Sequence, residues 1–271
     1  MSQGQHRGSL FPATPLLRAS AALHAGAGLA AVLRPRLWPF ALGAVVLNHA
    51  VLTAAGLWPK SRLLGPNMSR LPAGNRGGGE VAITIDDGPD PEVTPQVLAV
   101  LDRYGARASF FCIGERVERH PELARQIVRL GHRIENHTQR HRHNFALLGP
   151  RRMQDEIAHA QDTITRVTGA PPCFFRAPAG LRNPFLEPVL QRLQLRLASW
   201  THRGFDTVAG NADAVYRRLT GTLEAGDIML LHDGHAARCA AGGPVILEVL
   251  PRLLETLRAR QLRPITLRDA L

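Results

Sequence analysis

Hydrophobic patterning divides the chain into two unlike parts. Ala19 to Leu33 is an uncharged run of 15 residues, rich in Ala and Gly and bounded by Arg18 and Arg34, and Leu37 to Leu57 is a run of 21 residues without a charge. The second is long enough to cross about 30 Å of hydrocarbon as a helix, although Pro39, Asn48 and His49 interrupt its apolar character; the first is short for a span. Beyond residue 60 the apolar runs shorten and alternate in kind. Val81 to Ile85, Arg107 to Ile113, Phe174-Phe175, Leu197 to Trp200 and Asp227 to His232 read as buried strands. Between them, Val97 to Arg103, Glu122 to Leu130, Met153 to Thr168, Phe185 to Leu193, Ala212 to Leu223 and Val245 to Arg260 carry helical spacing. Strands alternating with helices predict an α/β barrel of parallel strands, with functional residues at the C-terminal strand ends. Pro66 to Gly79, containing Gly77-Gly78-Gly79, reads as flexible. The expected organisation is a polar tail at 1–15, a hydrophobic membrane anchor of one or two helices at 16–58, a linker at 59–79 and an α/β domain at 80–271.

The anchor has two rivals, a signal peptide for the first run and a buried helix for the second. The signal peptide is disfavoured because the apolar run starts late and a second follows where a mature domain should begin. Two spans joined by Arg34-Pro35-Arg36 make a hairpin. Arg7, Arg18, Lys60, Arg62, Arg70 and Arg76 then lie on one side against two arginines in the turn, which places the domain in the cytoplasm beneath a bacterial inner membrane. A single span leaves the orientation undetermined. Charge fits the same picture: Lys60 is the sole lysine among 33 basic residues and the formal net charge is +11. The arginines are scattered, aromatics make up 5% and no nucleic-acid motif occurs, so the surface points to anionic lipid or a phosphate-bearing substrate and away from nucleic acid. Cys112, Cys173 and Cys239 have no metal-ligand spacing.

Candidate chemistry begins where the first strand ends. Asp86-Asp87-Gly88 follows Val81 to Ile85, and His137-Thr138-Gln139-Arg140-His141 offers two imidazoles at i and i+4. Adjacent carboxylates at a strand end point to opposite sides, so one of them faces a metal and the other is free as a base. Two neutral imidazoles and a carboxylate leave open positions on a divalent ion, the geometry of hydrolysis. Taken singly these pieces are weak, since Asp-Asp-Gly-Pro also makes a turn and His132, His143 and His235 are further histidines. Farther on, Arg176 lies in Phe174-Phe175-Arg176-Ala177-Pro178-Ala179-Gly180, where a guanidinium can hold a carboxylate. Asp206 follows Trp200 by six positions, and the strand Asp227 to Asp233 delivers His232 at its end.

In order and spacing, Thr84–Gly88, His137–His141, Arg176–Gly180, Trp200–Asp206 and Leu230–Asp233 resemble the five motifs of the NodB-homology polysaccharide deacetylases, carbohydrate esterase family 4. Tyr104 to Phe111 and Gly131 to Thr138 look like that family too, and the likeness spans about residues 79 to 271. The resemblance implies a distorted seven-stranded barrel for the domain at 80–271. It implies that Asp87, His137 and His141 hold one divalent ion, with Zn²⁺ first by ligand type and Co²⁺, Ni²⁺ or Mn²⁺ as alternatives. Asp86 would be the general base, His232 the general acid, and Arg176 and Asp206 their respective partners. Ala179 and Leu230 fall at substrate and oxyanion positions, the backbone N–H of Ala179 being the donor.

Three departures from the family pattern bear on substrate: Ala179 stands where Tyr is usual, Arg203 replaces a common Asp, and Thr207 follows Asp206 where Trp is frequent. The metal and acid–base residues are intact while the sugar-stacking walls are thinner and more basic. The reading is therefore a membrane-anchored, metal-dependent N-deacetylase of an N-acetylated amino sugar, in a glycan or linked to lipid. Alternatives are a peptidoglycan or chitooligosaccharide N-deacetylase or an O-deacetylase. A silent membrane-bound glycan-binding module or a two-His, one-carboxylate iron oxygenase would need neither Asp86 nor His232.

Overall fold

Thr14 caps the first helix, its Oγ1 accepting from Leu17 N, and Pro15 supplies the fixed φ suited to a first turn. The computed structural model describes residues 14–271, so residues 1–13 of the expected polar tail lie outside the described residues. Helix α1 (Pro15–Leu33) turns through a 3-10 segment at Pro35–Leu37 into α2 (Trp38–Leu57), and the two pack as a hairpin. Asn48 and His49, which interrupt the second apolar run in sequence, are used between the helices: Asn48 Nδ2 donates to Ser20 Oγ at 2.8 Å and the Nε2 atoms of His24 and His49 lie 3.3 Å apart. Polar side chains bonding across such a pair hold helices together where water is absent. Both helices are long and apolar enough to cross a membrane, and only 6% and 17% of their apolar stretches are buried by the rest of the protein. The second run is therefore not a helix buried in the core of the α/β domain.

The remaining elements are α3 (Ala73–Gly77), β1 (Glu80–Asp86), α4 (Thr94–Arg103), β2 (Ala108–Cys112), α5 (Gly114–Arg119), α6 (Pro121–Arg129), β3 (Arg133–Asn136), α7 (Pro150–Thr168), β4 (Phe174–Phe175), α8 (Leu186–Arg192), β5 (Arg196–Leu197), β6 (His202–Arg203), α9 (Ala212–Thr220), β7 (Ile228–His232), α10 (Val245–Ala259) and β8 (Arg263–Ile265). All strands pair in parallel, in the order β5-β4-β3-β2-β1-β7-β6, with β8 added beside the start of β1. β5 and β6 do not pair with each other, so the expected barrel is an open, curled half-barrel.

The pleat of β1 explains both layers. Val81, Ile83 and Ile85 point outward into a cluster with Val97, Leu98 and Leu101 of α4 and the apolar face of α10. Ala82 points inward, where Ile228 and Leu230 of β7 meet Phe111, Phe174 and Trp200. Thr84 and Asp86 share that inward side, as the period of two requires. The strand C-terminal ends gather the loops that carry every site residue.

The segment read as a linker lies against the domain. Met68 bridges to Ala198 and Arg70 to Asp227, so it crosses the seam left between β5 and β6. Leu64 and Leu71 are buried, and Arg70 pairs with fully buried Asp227 at 2.7 Å. Asn67 donates to Pro59 O and Ser61 O and accepts from Ser199 Oγ.

Candidate active site

β1 ends on Asp86, and Asp87 then takes φ 75°, a left-handed conformation costly for a residue with a Cβ. That turn overrides the strand alternation expected from sequence. Asp87 swings back toward the cavity faced by Asp86, so both carboxylates approach one imidazole: His137 Nε2 is 3.3 Å from Asp87 Oδ1 and 3.9 Å from Asp86 Oδ2. The close packing here requires glycine at 234, where a Cβ would come within 2.3 Å of Asp87 O.

His137 and His141 lie in the loop after β3. Thr138 and His141 have φ 64° and 47°, so the pair shares a tight turn, not a helix face. Thr138 Oγ1 accepts from His141 N at 2.9 Å, and Asn136 Oδ1 accepts from Thr138 N, fixing the turn. His137 Nδ1 lies 2.8 Å from Arg176 O; a carbonyl only accepts, so Nδ1 carries the proton and the Nε2 lone pair is free. His141 Nε2 also lies 3.3 Å from Asp87 Oδ1. Burial, joined by the neighbouring His137, lowers the His141 pKa to about 4, leaving it neutral. Burial alone would raise the Asp87 pKa, but the imidazoles of His137 and His235 beside it outweigh that effect and hold the carboxyl well below its usual range.

One ligand atom each from Asp87, His137 and His141 lies within 4.8 Å of the others. Asp87 Oδ1, between the two imidazoles, is buried and has no hydrogen-bond donor. A buried carboxylate oxygen with no donor is costly, and a cation between these atoms would satisfy it. The donor set, two imidazoles and one carboxylate, suits Zn²⁺ or a similar divalent ion.

The remaining predicted residues surround this triad. Arg176, 1% exposed, donates from Nη1 to Asp86 Oδ1 at 2.6 Å and to Thr84 Oγ1 at 2.9 Å. Its other nitrogens donate to Ala198 O and Ser199 O, and its guanidinium lies 4.0 Å over the Phe111 ring, so the buried charge is fully partnered. Asp206, fully buried, accepts at Oδ1 from His232 Nδ1 (2.8 Å) and at Oδ2 from His232 N (2.7 Å). Burial depresses the His232 pKa, but the Asp206 bond and the Asp206, Asp86 and Asp87 charges outweigh it and raise it overall. Ala179 sits in the turn after β4 with φ 55°, whereas Leu230, 1% exposed, packs in the inner cluster one pleat below His232, as floor and not wall. Asp233 accepts from Thr94 Oγ1, and burial with the charges of Asp87 and Asp90 pushes its pKa up to about 7.

Two residues join the site that sequence reasoning did not place there. His235, set aside with His132 and His143, puts Nδ1 3.0 Å from Asp87 Oδ2 while its Nε2 faces Arg116 Nη2 at 3.2 Å. Its position two residues beyond Asp233, across Gly234, was the available signal. Phe205 is 46% exposed with φ 59°, and Arg203 stacks between it and Trp200, at 4.9 and 5.5 Å, with a buried Nε lacking a partner. An exposed aromatic surface thus persists beside Asp206. Of the other histidines, buried His132 accepts from Ala108 N and is structural, and His143 only flanks His141 at 6.3 Å between ring centres.

The description "Polysaccharide deacetylase" belongs to the family model that matches residues 73–198. A peptidoglycan-N-acetylglucosamine deacetylase of Bacillus cereus is 34% identical over 175 residues, covering 64% of this chain and 81% of the relative. A chitooligosaccharide deacetylase of Bradyrhizobium sp. is 33% identical over 156 residues, covering 57% of this chain and 71% of the relative. Among solved structures, a peptidoglycan N-acetylglucosamine deacetylase in complex with 4-naphthalen-1-yl-N-oxidanyl-benzamide superposes with a TM-score of 0.68 at 25% identity, over 76% of this chain and 92% of that one.

Proposed function

This chain belongs to the polysaccharide deacetylase family, and we propose that it is a membrane-anchored, metal-dependent enzyme that removes the N-acetyl group from an amino sugar carried on lipid. The observation that carries the chemistry is the orphaned Oδ1 of Asp87 between His137 and His141, with the Arg176-held Asp86 beside it and the Asp206-held His232 at the end of the adjoining strand. Asp87, His137 and His141 would hold the ion, which supplies Lewis acidity to the N-acetyl carbonyl and lowers the pKa of a water from about 15.7 toward 7.

The residues of the chain supply the proton traffic. Asp86 Oδ1 is occupied by Arg176, which leaves Oδ2 to take the proton from the attacking water as it adds to the carbonyl carbon. His232 keeps its Nδ1 proton on Asp206, so Nε2 is the atom that gives a proton to the departing amine as the C–N bond breaks. The raised pKa of His232 suits it to that acid role. Acetate and a free amino sugar result. The N–H of Ala179, in its turn after β4, is the candidate oxyanion donor.

Three features support a lipid-linked substrate: the hairpin, Ala179 where an aromatic wall is usual, and the guanidinium of Arg203, near Asp206, which can meet a phosphate. The named activities of the relatives favour a second reading, a peptidoglycan or chitooligosaccharide polymer, and Phe205 offers a surface on which a sugar ring can stack. Acetate release by detergent-solubilised full-length protein decides between them. A single N-acetylhexosamine on a phospholipid-type carrier should be turned over faster than a neutral tetrameric oligosaccharide, and Arg203→Ala should slow only the former. Equal or faster turnover of the tetramer establishes the polymer reading.

A further inference from the structure

The two loops that bring residues to the site also end in uncovered apolar tips. Beyond His141 the chain reaches Leu147, 84% exposed, and beyond Ala179 it reaches Phe185, 49% exposed. Asn183 ties these tips together, its Nδ2 donating to Ala146 O and Leu148 O at 2.9 Å each. The hairpin is fastened to the same place. Arg182 N donates to Gly56 O and its guanidinium to Ser61 O, an approach so close that a Cβ on Gly56 would lie 2.1 Å from Arg182 O. At the start of α1, at the same open end of the hairpin, Thr14 Oγ1 donates to Leu63 O at 2.7 Å. Both chain ends of the hairpin therefore meet the domain at the rim of the site, where Trp58 and Leu63 also stand uncovered.

We propose that Trp58, Leu63, Leu147 and Phe185 form a rim that rests on the bilayer surface, so that the Asp87–His137–His141 triad meets its amino sugar at headgroup level. Soluble monomers seldom gather large apolar side chains at one exposed place unless something covers them. Here the occupant follows from continuity. The rim begins where two apolar helices leave the domain, and those helices expose Leu29, Val32, Phe40 and Leu47 along their lengths. Trp58 directly follows α2, the position at which tryptophan settles between hydrocarbon and headgroups. Arg18 and Arg62 are exposed beside the hairpin ends and complement anionic headgroups.

The rim also reaches into the site wall. Gly180, next to Ala179, packs against both Pro59 and Trp200; a Cβ there would lie 2.9 and 2.6 Å from them. Lys60 Nζ donates to Thr201 O at 2.6 Å. The segment leaving the membrane is thus a fixed neighbour of the loop that would polarise the substrate carbonyl. This confines the substrate class to amino sugars close to the bilayer, joined to lipid directly or through a phosphate, and disfavours the distal units of a long strand. The inference rests on the membrane-anchored reading given above.

The test uses full-length protein carrying Cys173→Ser and Cys239→Ser, with buried Cys112 retained, labelled with an environment-sensitive fluorophore at Leu147→Cys, Phe185→Cys, Val46→Cys or Gln261→Cys. Position 46 lies in α2, and position 261 precedes β8 at the N-terminal end of β1, opposite the site. Each variant is reconstituted into phosphatidylcholine–phosphatidylglycerol vesicles with brominated acyl chains. Quenching at 46, weaker quenching at 147 and 185, and none at 261 is the expected result. Probes at 147 and 185 as unquenched as the one at 261, with 46 quenched, would overturn the rim and leave the anchor intact. No quenching at 46 would overturn the anchor and the rim together. Shielding at 147 that is independent of bromine and vanishes on diluting protein into excess lipid would assign the rim to a second copy of the chain, against the proposal.

Discussion

Asp87 presents one oxygen to two imidazoles and the other to His235, and this division of labour predicts what His235 does. By occupying Oδ2, His235 fixes the rotation of the carboxylate and leaves Oδ1 for the ion; outer partners of this kind typically contribute about 10- to 100-fold in metal affinity. His235→Ala should weaken Zn²⁺ binding by that factor in a chelator competition, while His235→Asn, which can still donate to Asp87, should recover most of it. Unchanged affinity in the alanine variant would remove His235 from the site. A second residue-scale prediction concerns pH. The His232 pKa is raised overall against a burial effect that lowers it, with Asp206 the main cause, so the proposed acid role would persist to higher pH and be lost as pH climbs through the folded value. Asp206→Asn removes the raising influence and leaves burial, so the alkaline limb of the kcat profile should move to lower pH, with turnover down about 10²- to 10⁴-fold. An alkaline limb left in place would assign it to another group. At this scale the sequence was readable because the motifs fall in order: Asp86, Asp87, His137, His141, Arg176, Asp206 and His232 all converge. His235 and Phe205 were not, because each depends on a local backbone feature, the Gly234 approach and a left-handed φ, that leaves no periodic trace.

Among the elements, the helices from α4 onward were legible wherever apolar residues recur on one face, and α7 and α10 match the expected bounds to within a few residues. α3, α5, β3, β6 and β8 were missed. They are 2–6 residues long, too short for a period to show, and β6 and β8 are formed by pairing with β7 and β1, not by their own patterning. The larger difference is the segment before β1. Its Pro, Gly and Asn content reads as flexible, yet Leu64 and Leu71 are buried, and Asn67 joins Ser199, whose carbonyl accepts from Arg176, to the turn at Pro59. The structural boundary of the domain therefore lies near residue 58. Losing one buried leucine costs about 2–5 kcal/mol, against a total stability of about 5–15 kcal/mol. Deleting residues 1–57 should leave a folded, active domain, whereas deleting 1–79 should lower its melting temperature sharply and reduce turnover by disturbing Arg176. Equal melting temperatures for the two truncations would show that the segment contributes nothing.

For the molecule as a whole, the hairpin, the segment crossing the barrel seam and the open half-barrel bring one constellation together at one end of the sheet. An amide is a poor electrophile with a poor leaving group, and in the proposed mechanism the arrangement answers each difficulty with a separate part: a place for a Lewis acid, a held carboxylate to take a proton and a held imidazole to give one. That account is tested most directly by acetate release from an N-acetylated amino sugar by chelator-treated full-length protein as Zn²⁺ is added back, with Asp86→Asn beside it. Turnover should be absent in the stripped protein and return to saturation at one ion per chain, and Asp86→Asn should bind the ion with turnover reduced about 10²- to 10⁴-fold or more. Full turnover after the metal is removed, or an Asp86→Asn variant as active as the unaltered chain, would contradict it.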